Sequence, residues 1–87
     1  MTFAQVLSDL GRRVAEERRR RGLTQAQLAE KTGVELRIIQ HIEAGTRASV
    51  TRSLYDLAMG MGVTLSSLFK SPRSRPPRRP GRPRTAR

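Results

Sequence analysis

The chain of 87 residues contains no cysteine. That excludes disulfide staples and thiolate chemistry and fits a reducing compartment. No apolar run approaches the ~20 residues that a membrane-crossing helix needs. Nor does the chain open on the charged-then-apolar stretch that directs secretion. A soluble, intracellular protein is expected. Histidine occurs once, at His41, with no nucleophile, paired carboxylate or metal-ligating cluster beside it. Neither catalysis nor a bound metal or cofactor is therefore expected. Acids are also scarce: 7 Asp and Glu face 18 Lys and Arg, a formal charge of +11.

What is present is unevenly distributed. Seven arginines and all five prolines fall within residues 71–87, leaving +4 over residues 1–70. The chain thus divides into a mildly basic domain, residues 1–70, and a strongly basic tail, residues 71–87. A chain this short makes one small domain that buries only ~60% of its unfolded surface. Phosphate is the natural partner of such charge. A membrane surface would attract it too, but the tail offers no apolar residue beyond Ala86 for insertion.

The organising stretch is residues 24–45, TQAQLAEKTGVELRIIQHIEAG. Thr24 with Gln27 three residues on has the form of a capping box, which predicts a helix start. Leu28 and Ala29 point inward, Gly33 can take the positive φ of a sharp turn, and Val34 plugs the corner. From Glu35 the spacing is helical again, with Ile38, Ile39 and Ile42 apolar, until Gly45 supplies a second stop. Two helices of about nine residues cannot stand alone in water, so they must pack on each other and on neighbours.

Upstream, Phe3, Val6, Leu7, Leu10 and Val14 recur at helical spacing, and Gly22 ends that first helix. Gly11 within it costs ~1 kcal/mol relative to Ala, which points to close packing there or to a looser first turn. Downstream, Ser49 or Thr51 can cap a fourth helix whose apolar face is Leu54, Leu57, Ala58 and Met61, closed by Gly62. The tail, SPRSRPPRRPGRPRTAR, has no periodicity and nothing to bury, which predicts disorder.

GLTQAQLAEKTGV, followed by Ile39, Ile42, Glu43 and Gly45, resembles the helix-turn-helix of the phage repressor and Cro-like family, also called the xenobiotic response element family. The resemblance covers residues 6–69 and implies an all-α, compact five-helix repressor-like domain in the bacterial cytoplasm or nucleoid. It implies that Arg18 pairs with Glu43, and that VTLSSLF forms a last short helix capped by Thr64, with Leu65, Leu68 and Phe69 apolar. Glu17 stands where many relatives carry Leu or Ala, and is expected to weaken the packing of the first helix slightly. Arg19, Arg20 and Arg21 are either a solvated helix face or a source of phosphate contacts. Within the tail, Arg79, Pro80, Gly81, Arg82, Pro83 and Arg84 resemble an AT-hook, although Pro80 separates Arg79 from Gly81. A plain polybasic arm is the other reading.

In a helix-turn-helix the second helix enters the major groove while the first crosses the phosphate backbone. With Ile39 and Ile42 turned to the core, Leu36, Arg37, Gln40 and His41 project outward. Arg37 suits guanine and Gln40 suits adenine. Leu36 would touch a thymine methyl or simply exclude water. Glu35, where relatives often have Ser or Thr, would accept from a cytosine amine or pair with Arg37. The resemblance places Gln25 at a phosphate and as a brace for the reading residues, with Thr24 and the helix-start amides favouring an anion. Arg47 in the following loop and Arg79, Arg82 and Arg84 in the tail complete the candidate set. A homodimeric regulator of double-stranded DNA, joined through Leu65, Leu68 and Phe69 on a pseudo-palindromic site, is the expected function. The alternative is an antitoxin-like or co-activator-like module that chiefly grips a protein partner.

Overall fold

The computed structural model describes residues 2–46 and 51–72. Four α-helices, α1 (Phe3–Arg20), α2 (Gln25–Thr32), α3 (Leu36–Ala44) and α4 (Thr51–Met61), are followed by a short 3-10 helix, Leu65–Phe69. The last of the five expected helices is thus a tighter coil. Ser67 N–H bonds Thr64 O at 3.1 Å and Lys70 N–H bonds Ser67 O at 3.3 Å, both three residues back. Thr64 caps it as expected, its hydroxyl accepting from Ser67 N–H. Thr51 lies inside α4 rather than ahead of it. The competing cap Ser49 lies outside the described residues, as do Arg47 and all of the tail from residue 73.

The boundaries of the first two helices have local causes. Thr2 and Gln5 form a capping box at the start of α1, and Thr24 and Gln27 form another at the start of α2. Gly33 stops α2 at φ +79°, a left-handed conformation that a side chain would strain. Thr32 reinforces the corner: its hydroxyl donates to Leu28 O at 2.8 Å and accepts from Val34 N–H at 3.2 Å.

The core gathers Leu10 and Val14 of α1, Leu28 of α2, Val34 at the corner, Ile39 and Ile42 of α3, Leu54, Leu57, Ala58 and Met61 of α4, and Leu68. α1 packs chiefly on α3, α2 on α3 and α4, and the 3-10 helix on α1 and α4. The apolar stripe of α1 deepens along its length, from the exposed Phe3 through half-buried Val6 and Leu7 to Leu10 and Val14. Gly11 is where α1 meets α3. A Cβ there would come within 2.7 Å of Glu43 O and closer still to Ile42 O, both backbone atoms. Close packing, not a loose first turn, accounts for this glycine.

Two expectations are corrected. Glu17 is not a weak spot on a helix face but a buried carboxylate, 1% exposed. It receives Arg13, bonds Arg21 at 2.7 Å and lies 3.7 Å from Arg20. Burial pushes its carboxyl up, but the Arg21 hydrogen bond and the charges of Arg13, Arg20 and Arg21 outweigh this and hold it below the usual 4.5. Arg13 also donates to Ser67 O at 2.9 Å, tying α1 to the 3-10 helix. Arg21 is thereby engaged with Glu17, whereas Arg19 and Arg20 stay on the exposed face of the helix, the Arg20 side chain 54% exposed. The second correction concerns Leu68, which is fully buried within its own chain and has no surface to offer across a two-fold axis. Leu65 is half-buried, and Phe69, 56% exposed, keeps an open face.

Candidate nucleic-acid interface

The outer face of α3 is set by how its inner face is held. Ile39 and Ile42 are buried and Ile38 packs against the same core, so the helix cannot roll. Its C-terminal end is clamped. Arg18 reaches across from α1 to bond Glu43 at 2.7 Å through Nε and 2.9 Å through a terminal nitrogen. A third donor, Gln25 Nε2, reaches the same carboxylate at 3.0 Å from the start of α2. Arg18 also donates to Leu23 O at 2.8 Å. The bond to Glu43 raises the Arg18 pKa above its ordinary value against the opposing effect of burial. Three elements thus converge on one carboxylate, and the positions of α1, α2 and α3 are coupled through it.

The expected site residues divide into committed and open groups. Gln25, expected at a phosphate, spends a side-chain N–H on Glu43. Thr24 is engaged in its capping box, its N–H donating to Gln27 Oε1 at 2.8 Å and its hydroxyl accepting from Gln27 N–H at 3.0 Å. Of the four amides that helix geometry leaves open at that end, the capping box takes up those of Thr24 and Gln27 and leaves those of Gln25 and Ala26. His41 is half-buried and its Nδ1 lies 3.2 Å from the Thr46 hydroxyl, which holds the ring against the end of α3. By contrast, Glu35, Leu36, Arg37 and Gln40 are exposed, and no hydrogen bond or ion pair to a described residue occupies the side chains of Glu35, Arg37 or Gln40. The open groups sit in the N-terminal half of α3, while the committed ones lie at its C-terminal end and on α2. Of the two roles expected for Glu35, the pairing with Arg37 does not form.

Sequence reasoning missed one support of this face, the hydroxyl of Thr46 for His41, and did not name Glu43 as the group on which Gln25 acts. The signal for Thr46 lay in its place just past the helix stop, Gly45, where the chain doubles back over the last turn. Among the described residues there is no group of three or more His, Cys, Asp and Glu that could hold a metal. No described helix is long and apolar enough to cross a membrane.

A short helix pair bent at a left-handed glycine, with its second member clamped inside and open outside, is a repressor-like helix-turn-helix. The comparison with family models agrees: the chain belongs to the family described as Helix-turn-helix domain, whose model matches residues 9–65. Among solved structures it is similar to an HTH_3 family transcriptional regulator from Vibrio cholerae, with 26% identity and a TM-score of 0.73 over 78% of this chain. It spans only 38% of the length of that regulator. It is also similar to the restriction-modification controller protein C.AhdI from Aeromonas hydrophila, with 28% identity and a TM-score of 0.70, covering 72% of this chain and 96% of that one. A comparison with curated proteins found no match.

Proposed function

We infer that this protein is a sequence-specific DNA-binding regulator of transcription, acting in the cytoplasm or nucleoid as a homodimer on a pseudo-palindromic site. The observation that carries this reading is the open row on α3. A cation, an amide and a carboxylate without partners among the described residues project from the first turns of a helix whose other contacts hold it rigid. Those are the side-chain types that discriminate base edges, and the start of the second helix is the part that enters the major groove. The amides at the start of α2 suit a phosphate on the groove's edge. Exposed Tyr55 and Met59, one turn apart on α4, and Phe69 are the apolar groups that fit a two-fold contact. Two copies would then present their α3 helices ~34 Å apart. The arginine-rich tail adds sequence-independent attraction to phosphate.

A mobility shift with the full chain alone, on a random-sequence duplex pool with and without excess unlabelled competitor, tests the reading. Recovery of an enriched sequence supports it. No retained DNA at low salt would favour the antitoxin-like or co-activator-like alternative. Sedimentation at tens of micromolar tests the dimer, and a monomer both with and without DNA counts against it.

A further inference from the structure

Leu36 stands out from the rest of the open row. It is the first residue of α3, it is 38% exposed, and it sits between Glu35 and Arg37, whose charges no described residue neutralises. Of its neighbours one turn on, Ile39 is turned into the core and Gln40 is exposed, which leaves Leu36 at the edge of the open row. The other large exposed apolar residues among those described, Phe3, Tyr55, Met59 and Phe69, belong to other elements.

Base edges in the major groove are polar with one exception, the C5-methyl group of a pyrimidine. Resting on the reading of α3 as the DNA-reading helix, we propose that Leu36 recognises the C5-methyl of a pyrimidine, in thymine or 5-methylcytosine, next to the guanine held by Arg37. Adjacent helix positions are 1.5 Å apart along the axis and diverge by about 100°, so these two side chains reach neighbouring base pairs. Glu35 gives the cytosine form its own basis. Its open carboxylate accepts from a cytosine amine, which 5-methylcytosine retains and thymine lacks.

The test starts from a duplex enriched by the full chain from a random pool. The guanine whose replacement is tolerated by Arg37→Ala but not by the native chain marks the register. At the adjoining pyrimidine, four otherwise identical duplexes carry thymine, uracil, cytosine or 5-methylcytosine. The expected result is about fourfold tighter binding (~0.8 kcal/mol) for each methylated base over its unmethylated counterpart. In Leu36→Ala, checked for native helicity by circular dichroism, that difference should vanish. A gain confined to the thymine pair, or to the cytosine pair, supports the proposal and identifies which methyl the protein uses. Indifference to methylation in both pairs overturns it, as does a methyl effect that survives in Leu36→Ala. If no sequence enriches at all, the reading of α3 as a base-reading helix fails first, and this proposal falls with it.

Discussion

Arg18 and Glu43, 25 residues apart in sequence, meet through two bonds that fasten the end of α1 to the end of α3. Their side chains are only 11% and 7% exposed, so removing either one leaves the other's charge largely buried without its partner. Glu43→Ala should cost about 3 kcal/mol, the lower end for breaking a buried pair, because Arg18 keeps the Leu23 carbonyl. Urea unfolding measures this directly, and an unchanged midpoint would remove the clamp from the account of stability.

Arg37→Ala should weaken binding to the preferred site by ~1 to 3 kcal/mol and leave binding to random DNA nearly unchanged. Equal losses on both kinds of DNA, in competition titrations at one salt concentration, would move Arg37 from base reading to backbone contact.

Glu17 gives the fold a pH dependence of known sign. Its folded-state pKa lies below the ordinary 4.5, so its stabilisation is present in full above about pH 4.5 and is lost as pH falls through the folded value. Glu17→Gln should destabilise the protein by roughly 2 kcal/mol at pH 7, with the gap to the native chain closing on acidification. Melting curves between pH 7 and pH 3 check it. A gap that stays constant over that range would mean the carboxylate charge contributes nothing.

Gly11→Ala offers a test in which propensity and packing oppose each other. Alanine favours a helix by ~1 kcal/mol over glycine. Here, however, its methyl group would strike the backbone carbonyls of Ile42 and Glu43. The net effect should be a loss of about 1 to 3 kcal/mol as α3 is pushed from α1. A more stable variant by urea unfolding would show that the interface yields easily.

The tail is best removed after Pro72, which is buried, and this still takes away all seven of its arginines. Each phosphate no longer neutralised lowers the slope of log K against log salt by about 0.9, so the ceiling is ~6 per chain. A third to a half of that is expected, with the domain still folded. If residues 79–84 form a minor-groove arm, AT-rich flanks should lose more affinity than GC-rich ones. An unchanged slope would assign the tail to another partner.

The helix pair, its caps, its glycine corner and the row that faces outward were legible in the sequence, because each depends on neighbours within four residues. A capping box, a left-handed glycine and a 3.6-residue period are local physics, and Thr24, Gln27, Gly33 and Ile39 declare them wherever the chain goes. Leu54, Leu57 and Ala58 followed for the same reason. What only the tertiary structure decided was which polar and marginal side chains remain available. Glu17 looks like a surface acid until Arg13 of its own helix and Arg21 just past that helix's end fold over it and Arg13 in turn reaches the Ser67 carbonyl. Gln25 looks like a phosphate ligand until Glu43 arrives from a different helix. Leu68 and Phe69 are neighbours of similar hydrophobicity, yet the docking of the 3-10 helix on α1 and α4 buries the first and leaves the second in water. Periodicity fixes which face a residue shares, whereas burial and pairing are settled by segments distant in sequence that local spacing does not encode.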